Sequence, residues 1–265
     1  MGSIKMDARK TIAITVKDMK EVFSSISIYG PMLGVPSFFA LMLPLLTYYV
    51  SFYAAPALAQ RLESMATLPA GIGGASGLAF MAFFSVSVLG PIFLTMPILT
   101  ASVIAADSFA GEKERKTSEA LLATPVTASE LLLGKMLASF LPTVLLTVFV
   151  FALYGSIMNF LVYGLFHQYI LPTLPWFLML VTSPFLAIAT IGVVVLISAH
   201  VRGTKEAQQI STLLVLPILV IPFISVLGIA DLTATFFIFM IVLLAILDIL
   251  IMYASVKSFR KEAIL

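Results

Sequence analysis

The run TFFIFMIVLLAILDILIMYASV occupies residues 235–256 and contains one charged side chain, that of Asp248. A helix needs about 20 mostly apolar residues to cross a membrane, because the hydrocarbon core is about 30 Å thick and a helix rises about 1.5 Å per residue. The run is therefore predicted to span a membrane. Five other stretches satisfy the same condition, and the six predicted spans are residues 28–53, 77–106, 131–166, 176–200, 210–227 and 235–256.

The composition of the whole chain agrees with this interpretation. Of its 265 residues, 61% are hydrophobic and 11% are charged, whereas a soluble domain is roughly half apolar and about a quarter charged. A soluble enzyme, a disordered chain and a nucleic-acid-binding domain are therefore disfavoured. The chain has no cysteine, which removes disulfides, thiol catalysis and cysteine-ligated metals. We predict an all-α polytopic membrane protein.

The distribution of lysine and arginine predicts the orientation of the spans. Basic residues precede the first span, lie between the second and third and between the fourth and fifth, and follow the sixth, whereas Arg61 alone falls on the other side. Loops rich in Lys and Arg face the cytoplasm. We therefore expect a multi-pass protein of the cytoplasmic (inner) membrane with both termini inside, and a short cytoplasmic tail at residues 257–265.

The segment 1–27 is too charged for a signal peptide and is predicted to form an amphipathic helix at the membrane surface. At about 100° per residue, Ile12, Val16 and Phe23 fall on one apolar arc, whereas Arg9, Lys17 and their polar neighbours occupy the rest; Ile14 breaks the pattern. Two roles remain open for this helix: a membrane anchor alone, or an anchor that also contacts a soluble partner.

A charged segment, DSFAGEKERKTSEALLATPV at residues 107–126, separates the second and third spans. Thr117 or Ser118 can cap a short helix that carries Leu121 and Leu122, and Pro125 should end it. The following Thr127 and Glu130 have the spacing of a capping box, which predicts the start of the third span. From the residues alone, a solvated turn and a helix that docks into another protein are equally acceptable.

The segment EKERKTSEALLATPV at residues 112–126, followed by ELLLGK at residues 130–135, resembles the signature of ABC-2-type permeases, and in particular the sodium-efflux and multidrug exporter branch. The resemblance implies the ABC-2 permease fold for residues 1–265 as a single transmembrane domain. It also implies a coupling helix near residues 112–126, centred on 116–125, that inserts into a cleft of a separate ATP-binding subunit. Lys116 departs from the family, which usually has glycine there. The implied coupling residues are Glu112, Glu114, Arg115, Lys116, Thr117, Glu119, Leu121, Leu122 and Pro125.

The family also places an amphipathic helix before the first span and a second coupling element between the fourth and fifth. The resemblance assigns this second element to Arg202, Gly203, Lys205 and Glu206. The same residues would also serve as an ordinary cytoplasmic loop.

The chain lacks the phosphate-binding motif G-x-x-x-x-G-K-[ST] that ATP hydrolysis needs, because Gly134 and Lys135 are followed by Met136. We therefore expect a transporter subunit that is not itself an enzyme and has no catalytic residue, bound cofactor or metal of its own. ATP and Mg are expected in the partner subunit. The family resemblance also implies a second copy of the permease, as a homodimer in the bilayer, and an exported substrate. A passive channel, a scramblase and a membrane-assembly factor without an ATPase remain alternatives.

The strongest sign of an enzyme is the sequence Gly74-Ala75-Ser76-Gly77, which resembles the G-x-S-G nucleophile motif of rhomboid proteases. No histidine lies on the sixth span to activate the serine. Glycine and serine at the start of a span more often serve close helix packing. We therefore do not predict proteolysis.

Three residues inside the spans are predicted to belong to a gate or pathway. Pro217 and Pro222 should bend the fifth span, because each proline removes a backbone donor. Asp248 is a carboxylate within the sixth span, and an ionisable group at such a depth indicates a functional site. Two kinds of role are open for it: a structural one, either a helix-packing hydrogen bond or a snorkelled contact with the inner membrane boundary, and the binding of a proton or cation.

Overall fold

A computed structural model of the protein describes residues 7–53, 81–115, 126–198, 200–201, 203–227 and 232–262. In these segments all regular secondary structure is helical. The helices, in chain order, are α1 (Ala8–Ser24), α2 (Ile26–Tyr53), α3 (Met81–Gly111), α4 (Ala128–Phe166), α5 (Leu174–Ser198), α6 (Thr204–Thr212), α7 (Val215–Val226) and α8 (Ala234–Glu262). The six predicted spans are confirmed, because six helical segments are long and apolar enough to cross a membrane, with α6 and α7 together forming the fifth.

The core of the bundle is built around α3, the most buried of the spans. Phe93 of α3 packs on Tyr154 of α4 with ring centroids 4.7 Å apart, and Trp176 of α5 stacks on the same tyrosine at 5.2 Å. All three side chains are buried. Aromatic pairs of this kind contribute about 0.5–1.5 kcal/mol beyond the burial of their area. This aromatic cluster therefore ties three spans together at one level of the bundle.

The break in the fifth span comes one turn before a proline. Pro217 has no N–H, and its ring crowds the carbonyl four residues earlier, so α6 ends at Thr212 and α7 begins at Val215. The fifth span, predicted over residues 210–227 with a bend at its prolines, consists of two helices, with the interruption one turn before Pro217. By contrast, α4 continues through Pro142 as one helix.

Helix α1 crosses the first turns of α4 and buries a polar face. Its buried residues are Thr11, Thr15, Asp18 and Val22. The two helices approach closely at Gly134, where an added Cβ would lie 2.8 Å from the Cβ of Ile14, and the Thr15 hydroxyl donates to the Gly134 carbonyl at 3.1 Å. The predicted apolar arc points away from this contact, since Ile12, Val16 and Phe23 are exposed. The contact with Gly134 also explains why Ile14 departs from that arc.

The start of α4 has the predicted capping box. The Thr127 hydroxyl accepts from the backbone N–H of Glu130, and the Glu130 carboxylate accepts from the backbone N–H of Thr127 at 2.9 Å. The second oxygen of the same carboxylate accepts from the backbone N–H of Asp7 at 2.7 Å. One glutamate therefore fixes both the beginning of the third span and the beginning of α1.

Candidate functional site

The second span is longer than the sequence predicts. Helix α3 does not end at Ala106 but continues through a π-helical turn, Asp107–Gly111, and the chain stays helical to Glu114. The predicted coupling residues Glu112, Glu114 and Arg115 therefore directly follow the second span, which ends at Gly111. The helix can continue because its charged side chains find partners on neighbouring helices. The other predicted residues of this segment, Lys116, Thr117, Glu119, Leu121, Leu122 and Pro125, lie outside the described residues.

A buried lysine of α4 forms the centre of the site. Lys135 has a side chain that is 3% exposed, and its Nζ lies 2.6 Å from Glu112 Oε2 and 3.9 Å from Asp18 Oδ2. It also donates to the Ser108 carbonyl at 2.6 Å and lies 5.6 Å from the centre of the Phe109 ring. We call Asp18, Glu112 and Lys135 the charge cluster. This cluster joins α1, the end of α3 and α4.

Arg115 makes a second set of contacts beside the charge cluster. Its guanidinium donates to both oxygens of Asp107, at 3.0 and 3.4 Å, and lies 3.5 Å from Glu21 Oε1 of α1. The arginine side chain is 44% exposed, and exposed ion pairs contribute about 0–1 kcal/mol. These contacts therefore orient the end of α3 against α1 more than they stabilise the fold.

Glu114 connects the two predicted coupling elements. Its Oε2 accepts from the backbone N–H of Thr204 at 3.0 Å and from the Thr204 hydroxyl at 3.1 Å, and the backbone N–H bond in particular holds the pKa of this carboxyl below its ordinary value. The N-cap residue of α6 is Gly203, which has no side chain to cap the helix. Glu114 supplies the missing cap from another helix. A Cβ at Gly203 would lie 2.8 Å from the same carboxylate oxygen, so a larger residue there would displace the carboxylate from its position at the cap.

The remaining residues of the predicted second coupling loop are Arg202, Lys205 and Glu206. Lys205 and Glu206 are exposed on the first turn of α6, and Arg202 lies outside the described residues. The predicted motif Gly74-Ala75-Ser76-Gly77 also lies outside them.

The predicted gate or pathway residues lie on different pairs of helices. Pro217 is exposed and Pro222 is buried on α7, which packs against α3, whereas Asp248 is buried on α8, which packs mainly against α5. The two prolines and the carboxylate therefore belong to separate parts of the bundle.

Sequence reasoning missed Asp18 and Lys135 as members of the site. A signal for both exists. On α1, helical spacing relates a second, mostly polar set of residues: Thr11, Thr15, Asp18 and Val22. Lys135 stands within the otherwise apolar start of the third span, where a charged side chain indicates a buried partner.

Comparison with known proteins identifies the family. The family described as ABC-2 family transporter protein matches residues 12–261. A stretch of 52 residues is 48% identical to the ABC transporter permease protein NatB of Bacillus subtilis (strain 168), and it covers 20% of this chain and 14% of NatB. The family match includes all six spans and every described residue of the charge cluster. The chain is therefore a multi-pass membrane protein that belongs to the ABC-2 family of transporter proteins.

Proposed function

We propose that this chain is the membrane permease subunit of an ATP-driven ABC exporter and that its segment 112–126 receives the movement of a separate ATP-binding subunit. Family membership supports the permease role. The absence of a phosphate-binding motif from the sequence supports a partner that supplies ATP and Mg. The partner's closure on ATP would move the coupling segment and shift the spans from an inward-open to an outward-open arrangement.

One observation carries the coupling role: the base of this segment is tied to three other helices. Glu112 reaches Lys135 of α4, Arg115 reaches α1, and Glu114 caps α6. A force on residues 112–115 is therefore transmitted to α4, which is the third span, and to α6, which begins the fifth, whereas the exposed pair with α1 orients the segment. ATP can drive such a change only through a difference in affinity between the two arrangements, and hydrogen-bonded charge pairs with strict geometry provide contacts that differ between them.

A second copy of the permease completes the proposed exporter. Helix α2 carries the sequence Gly30-Pro31-Met32-Leu33-Gly34, and a Cβ added at Gly30 or Gly34 would meet nothing within 4 Å. Glycines spaced in this way allow two membrane helices to approach closely. We expect the homodimer to form along α2, in the cytoplasmic membrane with both termini inside. A passive channel, scramblase or assembly factor is the alternative, and it would leave the coupling segment without a role.

Isolation of the protein from its native cells tests the proposal. The tagged permease is purified in mild detergent, co-purifying chains are identified, and ATPase activity is measured. We expect an ATP-binding subunit to co-purify and to be lost with Leu121→Asp, which places a charge on the segment that docks. Glu114→Gln should keep the subunit bound but lower ATP-driven transport. Lys257→Gln, which removes an exposed charge on α8, is the matched control and should change neither.

Recovery of the permease alone, or only with itself and without ATPase activity, would contradict active export. Vesicles containing the permease would then be tested for passive movement of lipids or ions. The dimer has a separate test, because the chain has no native cysteine. Gly34→Cys should cross-link two copies in the membrane, whereas Leu243→Cys on the exposed face of α8 should not.

A further inference from the structure

Asp248 is a buried carboxylate without a hydrogen-bond partner. The residue is 6% exposed, and neither carboxylate oxygen contacts a donor among the residues that the structure describes. An unpaired carboxylate in an apolar environment is strongly unfavourable, and ionisable groups within membrane helices pair with one another or mark a binding site. Within the described part of the chain, the structure therefore offers no support for the helix-packing role and favours a ligand.

The carboxylate borders a lateral cavity between α4, α5 and α8. The cavity has a volume of about 650 Å³, and Asp248 is the one charged residue in its lining. The wall includes two phenylalanine rings, Phe140 and Phe185. Two of the lining residues, Leu137 and Ile249, are 39% and 70% exposed. The cavity therefore opens sideways, on the face of the bundle that meets lipid.

Tight packing beside the cavity shows that the opening is not a loose contact between helices. A Cβ at Gly192 of α5 would collide with the side chain of Ile251 of α8. The Ser255 hydroxyl donates to the Gly192 carbonyl at 3.0 Å. Gly192 directly follows Ile191, which lines the cavity. The two helices are thus held together at one level and leave a defined space at the next.

The lining selects a class of ligand. A bare metal ion is disfavoured, because hard cations need about six oxygen ligands and the lining offers one carboxylate. A carboxylate attracts an organic cation, aromatic rings favour the same charge, and apolar walls bury a hydrophobic body. We propose that this cavity binds a hydrophobic organic amine in its ammonium form, with the nitrogen on Asp248 and the body among the apolar side chains.

Equilibrium dialysis tests the proposal without an ATPase, so its outcome is independent of the proposed function. The permease is placed in nanodiscs of zwitterionic phosphatidylcholine, and the probe is fluorescent 1-naphthylmethylammonium. The uncharged analogue 1-naphthalenemethanol is the ligand control. We expect saturable binding of the amine at least tenfold tighter than that of the alcohol, and Asp248→Asn should abolish this difference. Ile246→Asn, which adds the same amide on the exposed face of α8, should leave it unchanged.

A second variant covers the case in which Asp248→Asn fails to fold. Ala245→Phe fills the cavity while keeping the carboxylate, and it should weaken amine binding at least tenfold. Equal binding of amine and alcohol would overturn the proposal, since it would indicate simple partition into an apolar space. Absence of saturable binding would overturn it too, as would unchanged amine binding by both variants. If Asp248→Asn instead reduced the oligomeric state without any amine binding, the cavity would be a contact with a second copy.

Discussion

Replacement of Lys135 by methionine should destabilise the protein through the charges that it leaves behind. Methionine keeps the length of the side chain but removes the ammonium group that lies 2.6 Å from Glu112 and 3.9 Å from Asp18. The side chains of these two carboxylates are 13% and 7% exposed. In the described part of the chain, the half-exposed Lys17 then remains as the ion-pair partner of Asp18, at 3.2 Å. The variant therefore has two poorly solvated carboxylates with too little compensating charge.

The expected loss is about 3–5 kcal/mol, the cost of removing one partner from a buried ion pair. For a domain of 150–250 residues, 1 kcal/mol changes the melting temperature by roughly 2–4 °C. Lys135→Met should therefore melt about 6–20 °C below the wild type. The fluorescence of the single tryptophan, the buried Trp176, provides the melting curve. Lys20→Met removes an exposed lysine from α1 and should melt close to the wild type.

A triple variant separates charge from shape. Replacing a whole buried ion pair by uncharged groups is often neutral. Adding Asp18→Asn and Glu112→Gln to Lys135→Met should therefore recover more than half of the stability that Lys135→Met alone loses. Wild-type melting of Lys135→Met would refute the assignment of Lys135 as the centre of a buried charge cluster. A triple variant no more stable than the single variant would refute the electrostatic explanation and leave packing as the cause.

Three further predictions follow from individual contacts. The pKa of Glu114 is lowered mainly by the hydrogen bond from the N–H of Thr204. The stability that this cap contributes is therefore fully present above pH 4.5, the ordinary pKa of a glutamate. It is lost as the pH falls through the lower pKa that Glu114 has in the folded protein. Hydrogen exchange in the first turn of α6, corrected for the intrinsic rate, should rise on acidification, and Glu114→Gln should raise it at neutral pH. Gly192→Leu should separate α5 from α8 and lower the melting temperature, whereas Gly164→Leu, where a Cβ meets nothing within 4 Å, should not. Pro217→Ala should restore the missing backbone hydrogen bond and slow hydrogen exchange at the break before α7. If the fifth span forms a gate, the Pro217→Ala and Pro222→Ala double variant should change transport, and unchanged transport would count against that role.

The spans could be predicted because hydropathy and length are local properties of the sequence. The same holds for the capping box of Thr127 and Glu130, in which both partners lie within four residues. The end of the second span could not be predicted, because residues 107–111 include one charged residue, Asp107, and three small ones, Ser108, Ala110 and Gly111, which is typical of a loop. They remain helical because Asp107 and Glu112 are paired with Arg115 and Lys135.

The partners of the predicted coupling residues could not be read from the sequence for a similar reason. The resemblance selects Glu112, Glu114 and Arg115, but it does not say what each side chain contacts. Glu114 and Thr204 are 90 residues apart, and so are Asp18 and Ser108. Contacts at such separations depend on the packing of whole helices, and a single sequence has no local pattern that records them.

The solvent exposure of each ion pair decides whether it can transmit a force between helices. Exposed pairs contribute about 0–1 kcal/mol, so the half-exposed Arg115 can reorient at small cost and follow the coupling segment without moving α1. Lys135 cannot, because its side chain is 3% exposed and separation from Glu112, the nearer of its two carboxylates at 2.6 Å against 3.9 Å, would leave a buried ammonium group poorly compensated. Movement of Glu112 must therefore carry α4 with it. If coupling runs along this path, Lys135→Met should retain the bound ATP-binding subunit and its ATPase activity while ATP-driven transport falls, and loss of both together would place the coupling elsewhere.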